Sequence, residues 1–238
     1  MRDWLQYKDE LSSLLLDHEA LPAMPSCGTC GKQPQSKCYR CLDCFTRSIY
    51  CKRCCLKDHS KHPFHSIEEW TGTHFQATTL SKMGLVLPFG HGGDRCGKND
   101  EATEDEWEDE DEDEEGGVPG REKGRKLSKL TIVDRAGVFT YWVRWCTCGG
   151  VPHYRQLVEL GLYPASFKQP KTAFTFRLLK YYHIDLMECR TPPFAFYNKI
   201  RRQTHENRPD SVPVSFLHFS ISSCLVVLMD VVRTGIGS

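Results

Sequence analysis

Between Cys27 and His65 the chain places Cys27, Cys30, Cys38, Cys41, Cys44, Cys51, Cys54 and Cys55, and closes the run with His59, His62 and His65. Thiolates paired in Cys-x-x-Cys knuckles and followed by imidazoles supply the ligands and tight turns that tetrahedral zinc requires. Disulfides would need an oxidising compartment. Met1-Arg2-Asp3-Trp4-Leu5 lacks the basic start and unbroken apolar core of a signal peptide, and thirteen cysteines cannot all pair. The chain is therefore expected to be intracellular and not secreted. A redox Cys-x-x-Cys stands alone after a strand of a βαβ unit, whereas here such pairs recur within a few dozen residues.

The knuckles Cys27/Cys30, Cys41/Cys44 and Cys51/Cys54, with two histidines as a fourth pair, make eight ligands and so two tetrahedral ions. Six residues separate Cys44 from Cys51, enough for a tight hairpin, which favours an interleaved cross-brace: first pair with third, second pair with the histidines. Sequential pairing stays open. Cys38 stands in a knuckle register before Cys41, Cys55 competes with Cys54, and three histidines compete for two places. The expected ligands among these are Cys54, His59 and His65, with Cys38 and Cys55 as packed or spare thiols.

Formal net charge is zero, yet twelve of the 31 acidic residues fall between positions 101 and 115, so the rest of the chain carries 31 basic groups against nineteen acidic ones, a surplus of +12. That surplus suits an anionic partner. Glu104 to Glu115 cannot bury a core, and residues 97–127 are expected to be a disordered loop.

Ahead of the cysteines, residues 2–19 carry Trp4, Leu5, Leu11, Leu15 and Leu16 at helical spacing until Pro22 and Pro25, and read as a packing or partner helix within an N-terminal region 1–26. Tyr39-Arg40-Cys41 and Ile49-Tyr50-Cys51 can pair as short strands. The segment from Ile67 to Phe89 reads as the core behind the zinc sites, which gives a cysteine/histidine domain at 27–96. Further on, Leu130 to Val133 and Val138 to Cys146, joined by Asp134-Arg135-Ala136-Gly137, form a hairpin signature that delivers Cys146-Thr147-Cys148 at its end. If residues 85–89 pair beside this hairpin, His91, Cys96, Cys146 and Cys148 form a third zinc site. Helices are expected over His153 to Leu160, over Lys171 to Leu186, and after Thr191-Pro192, read as a cap and first-turn proline, for a helix with Phe196, Tyr197 and Ile200. The apolar tail from Ser215 to Val232 is interrupted by His218 and Asp230 and is too short to span a membrane. The fold class expected is α+β: a zinc-stabilised cross-brace cluster of B-box or ZZ type, packed with a small antiparallel sheet and C-terminal helices.

These residues, in this order, resemble the Cys-x-Cys-type cysteine cluster associated with the KDZ (Kyakuja-Dileera-Zisupton) transposases of fungi. The resemblance is carried by Cys27-x-x-Cys30, Tyr39-Arg40-Cys41-Leu42-Asp43-Cys44, Cys51-x-x-Cys54-Cys55, Pro63-Phe64-His65 and Gly90-His91. It continues through Cys96, Cys146-Thr147-Cys148, Gln156-Leu157, Pro164-Ala165-Ser166 and Pro170 to Phe176. It implies a non-catalytic zinc module on the N-terminal side of a larger nuclear transposase, and it strengthens His91 and Cys96 as ligands beside Cys146 and Cys148. It further implies that the RNase H-like catalytic domain, whose carboxylates would hold two divalent ions, is absent from this chain. The hairpin and helices of 128–208 fall inside the family pattern, and residues 209–238 leave it.

Two zinc ions are expected, and three if the Cys-x-Cys site fills. DNA or chromatin is the expected partner, through Arg47, Lys52, Arg53, Lys57 and Lys61 among the knuckles, with a histone peptide or a transposase subunit as the alternative of a protein-interaction module. A RING-type ubiquitin ligase fits poorly, since the last ligand pairs lack the long separation and closing Cys-x-x-Cys expected there. No membrane and no small-molecule substrate is expected.

Overall fold

The short strands of the cysteine region form where β-branched and aromatic residues sit between knuckle turns. The computed structural model describes residues 3–34, 37–94, 96, 127–205 and 212. The chain divides into two units, Met1–Met83 and Gly84–Ser238.

In the first unit a short 3-10 turn (Asp3–Tyr7) runs into helix α1 (Lys8–Glu19), none of whose residues is buried. Trp4, Leu5, Leu11, Leu14, Leu15 and Leu16 are all exposed. The helix ends on Arg40, a buried side chain that donates Nη1 to the His18 carbonyl and Nη2 to the Glu19 carboxylate. The same guanidinium donates Nε to Glu68 and lies 4.0 Å over the Phe75 ring. Strands β1 (Tyr39–Cys41), β2 (Ile49–Tyr50), β3 (Ile67–Trp70) and β4 (Phe75–Thr78) form an antiparallel sheet in the order β2-β1-β3-β4. Tyr39 pairs with Tyr50 and Arg40 with Ile49, the pairing expected from the sequence. Helix α2 (Lys52–His59) starts directly after β2 and buries Cys54, Cys55, Leu56 and His59 on one face.

The second unit is built on a mixed five-stranded sheet in the order β5-β7-β6-β9-β8, made of β5 (Val86–Pro88), β6 (Ser128–Asp134), β7 (Gly137–Arg144), β8 (Leu162–Pro164) and β9 (Thr172–Thr175). The expected hairpin is β6–β7, in register from Ser128 opposite Val143 to Asp134 opposite Gly137. β5 pairs with β7 and β9 with β6 in parallel, so this sheet is mixed where a small antiparallel one was expected. Helices α3 (His153–Glu159), α4 (Phe176–Cys189) and α5 (Pro193–Thr204) complete the unit. Val133, Phe174, Leu178, Leu179, Tyr182, Phe196, Tyr197 and Ile200 form its buried core.

The helix expected over Lys171 to Leu186 begins later than its sequence suggests. Thr172–Thr175 is strand β9, held between β6 and β8, and α4 starts at Phe176. Thr175 marks the change of geometry: its hydroxyl accepts from the Leu178 N–H as an N-cap and donates to Asp134 Oδ2 at 2.6 Å. The last helix starts on Pro193 with Pro192 ahead of it, and no Thr191 side-chain cap forms. The acidic loop expected at 97–127 lies outside the described residues apart from residue 127, as does the tail 209–238 apart from Val212. Among the described residues no helix is long and apolar enough to cross a membrane.

Candidate metal centres

The ligand atoms of the twelve cysteines and histidines singled out above fall into three groups of four, each group within 4.8 Å. Cys27, Cys30, Cys51 and Cys54 form the first; Cys41, Cys44, His59 and His65 the second; His91, Cys96, Cys146 and Cys148 the third.

The first two groups alternate along the chain. α2 explains how: it opens beside Cys51, turns Cys54 into the first group, and five residues on brings His59 into the second. The hairpin β1–β2 holds the second knuckle between them. Backbone hydrogen bonds fix the turns, Gly31 N–H to Cys27 O at 2.8 Å and Gly28 N–H to Ile49 O at 2.8 Å.

The distances suit a tetrahedral ion. With Zn–S near ~2.3 Å and Zn–N near ~2.0 Å, the edges of a zinc tetrahedron are about 3.8 Å between sulfurs and about 3.5 Å between sulfur and nitrogen. In the second group Cys41 Sγ lies 3.4 Å from His65 Nδ1, and Cys44 Sγ lies 3.5 Å from His59 Nε2 and 3.6 Å from His65 Nδ1. The other nitrogen of His59, Nδ1, sits 2.9 Å from the Cys55 carbonyl, an orienting contact typical of a ligating imidazole. His62 stays outside the group and stacks on His65, ring centroids 4.9 Å apart. Cys38 and Cys55 also stay outside, both buried; Cys55 Sγ comes only to 4.0 Å from His59 Nδ1.

The third group is assembled by the sheet of the second unit. β5 runs parallel to β7, so the chain leaving β5 carries His91 and Cys96 beside Cys146 and Cys148, which follow β7. Cys146 Sγ lies 3.2 Å from His91 Nε2 and 3.8 Å from Cys96 Sγ, and Cys96 Sγ lies 3.2 Å from Cys148 Sγ. Gly90 adopts φ +89°, and a Cβ there would meet Cys146 Cβ at 2.6 Å, so only glycine lets the two chain segments close on the site. Buried Gln156, on α3, fixes Cys146 from the other side. Its Oε1 accepts from the Cys146 N–H at 3.0 Å, and its Nε2 donates to the Cys146 carbonyl at 2.8 Å and the Val151 carbonyl at 2.9 Å. The residue stood in the motif run without a role. Its one signal was a polar side chain beside Leu157 on a helix that must bury a face.

The thiols show what burial and close sulfur neighbours do to ionisation. Burial pushes the Cys41 thiol up to about 11 and Cys55 up to about 12, and burial together with the neighbouring knuckle sulfurs raises Cys54 strongly. Cys96 and Cys146, hydrogen-bonded beside it, raise Cys148 to about 11. Cys27 goes the other way: burial would raise it, but the backbone N–H groups of Cys30, Cys51 and Thr29 outweigh that and bring it down to about 6. In the first group Cys27 is thus held low while Cys51 and Cys54 are pushed up, a conflict that a bound divalent cation would remove. The all-thiolate and thiolate–imidazole donor sets fit zinc. Each group offers four protein ligands, the closed set of a structural site.

The family model described as CxC2 like cysteine cluster associated with KDZ transposases matches residues 115–208. No curated protein and no solved structure matches the chain. The matched stretch contains the hairpin, Cys146, Cys148, Gln156 and helices α3 to α5, whereas His91, Cys96 and the first two groups precede it. From residue 115 to 208, then, the chain is similar to the CxC2 like cysteine cluster of the kind associated with KDZ transposases.

Proposed function

We propose that the chain is a non-catalytic, zinc-binding module of a KDZ-type transposase that acts in the nucleus by binding DNA or chromatin, with zinc as a structural ion in all three groups. The observation that carries the reading is the two-sided character of α2. Its inner face supplies Cys54 and His59 to two different metal groups, while Lys52, Arg53 and Lys57 stand exposed on its outer face. A helix held from behind by two metal centres presents fixed cations that can track phosphates, and the +12 surplus outside the acidic run supplies the long-range attraction.

The test is binding of the zinc-loaded chain to a labelled duplex across a salt series. Affinity should fall steeply and linearly on a log–log scale, and each of Lys52→Gln and Lys57→Gln should reduce the slope by about 1. No salt-sensitive binding to duplex DNA would overturn the nucleic-acid reading.

A second reading, a protein-interaction module of B-box or ZZ type, is supported by the uncovered apolar residues of α1 and its neighbouring turn. Recovery of histone tails or a transposase subunit on the immobilised chain, with no DNA binding, would favour it.

A further inference from the structure

Phe45 is fully exposed at 101% of its reference area, and Leu42 beside it is also exposed. Single exposed apolar residues are ordinary on protein surfaces. The setting of this one is not, because the loop that carries it is pinned on both sides. Asp43 accepts the Ser66 N–H and Cys44 Sγ sits 3.5 Å from His59 Nε2 and 3.6 Å from His65 Nδ1, while on the far side Ile49 pairs with Arg40 and its carbonyl accepts the Gly28 N–H at 2.8 Å. The ring is thus held out on a fixed support, and ordering it on a partner costs little conformational entropy.

Its neighbours are cations. Arg47 lies two residues along the same loop. The contact between Cys44 and His59 ties the loop to the end of α2, where Lys57 precedes His59 and Lys61 follows it. Arg47, Lys52, Arg53, Lys57 and Lys61 are exposed, and no ion pair among the described residues engages any of them. The two carboxylates between positions 41 and 62 are already used as acceptors, Asp43 from Ser66 and Asp58 from the Thr29 hydroxyl at 2.6 Å. A fixed aromatic tip on a loop with unpaired cations on it and on the helix it contacts matches one surface above others: a nucleic-acid strand, whose phosphates take the cations and whose bases offer an apolar face.

We infer that Phe45 stacks on a base of the bound nucleic acid, as a wedge or platform at the tip of the second zinc knuckle, while Arg47, Lys57 and Lys61 hold the flanking phosphates. The inference rests on the nucleic-acid reading above and adds the base contact to it.

The experiment uses the full chain loaded with zinc and a fluorescein-labelled mixed-sequence oligonucleotide, single-stranded and annealed, titrated by anisotropy over a salt series. Phe45→Ala should weaken binding about tenfold at every salt concentration, leave the salt slope and the zinc content unchanged, and be rescued by Phe45→Trp. Salt-dependent binding equal in wild type and Phe45→Ala overturns the inference and leaves the nucleic-acid reading standing. A fall in zinc content with Phe45→Ala would make the residue structural and also overturn it. Absence of wild-type binding removes both. Sedimentation with phosphatidylserine vesicles that Phe45→Ala abolishes, with oligonucleotide affinity unchanged, would assign the tip to a membrane surface instead.

Discussion

Cys41 and Cys38 stand three residues apart and are both buried, yet only Cys41 has its sulfur within ligand distance of an imidazole nitrogen. Structural zinc contributes on the order of 10 kcal/mol to folding in small modules. Cys41→Ser should therefore empty the second group and unfold the cluster around it. Cys38→Ser keeps every ligand and should cost about 1–2 kcal/mol for the buried hydroxyl, with full zinc content. Zinc analysis alongside limited proteolysis of the two variants checks this, and equal zinc loss in both would contradict the ligand assignment. Gln156→Leu keeps the four ligands of the third group but removes three hydrogen bonds that hold Cys146 and its loop. Zinc transfer from that group to a chromophoric chelator should become about 10–100-fold easier, with the other two groups unaffected.

At the scale of elements, the junction of β6, β9 and α4 in the second unit is tied together by one buried carboxylate. Asp134 is fully buried and accepts from Arg177 Nε and from Arg177 Nη2 at 2.7 Å, from Thr175 Oγ1 at 2.6 Å and from the Ala136 N–H at 3.0 Å. Arg177 is half-exposed, so water can partly replace it; Arg177→Ala leaves the buried carboxylate without its cation and should cost about 2 kcal/mol, read as a fall in the urea midpoint. A loss below about 1 kcal/mol would mean that Thr175 and Ala136 alone satisfy Asp134. The same junction shows why some elements escaped the sequence. The hairpin β6–β7 was legible because alternation and a turn signal are local. Thr172–Thr175 was not, because its strand geometry comes from β6 and β8 on either side, and the run Phe174, Leu178, Tyr181 and Tyr182 continues smoothly into a helical pattern. β8 spans only Leu162–Pro164, too short to carry a period. α1 was legible as a helix, but spacing alone does not say whether an apolar stripe is covered, and here it is not.

For the molecule as a whole, the metal groups were the most legible feature. Zinc needs four ligands at fixed distance, and knuckle spacing leaves few ways to supply them. The third group was harder, because its halves come from the segments after β5 and β7 and only the parallel pairing of those strands joins them. What sequence could not foresee was the support around the sites: the Gln156 clamp, the Gly90 close approach and the Arg40 anchor of α1. The central expectation for the whole molecule is three closed zinc sites in one chain. Native mass spectrometry of the purified protein, calibrated by elemental analysis, tests this most directly. Three zinc ions per chain is the result predicted; two ions or fewer on a folded chain would contradict it.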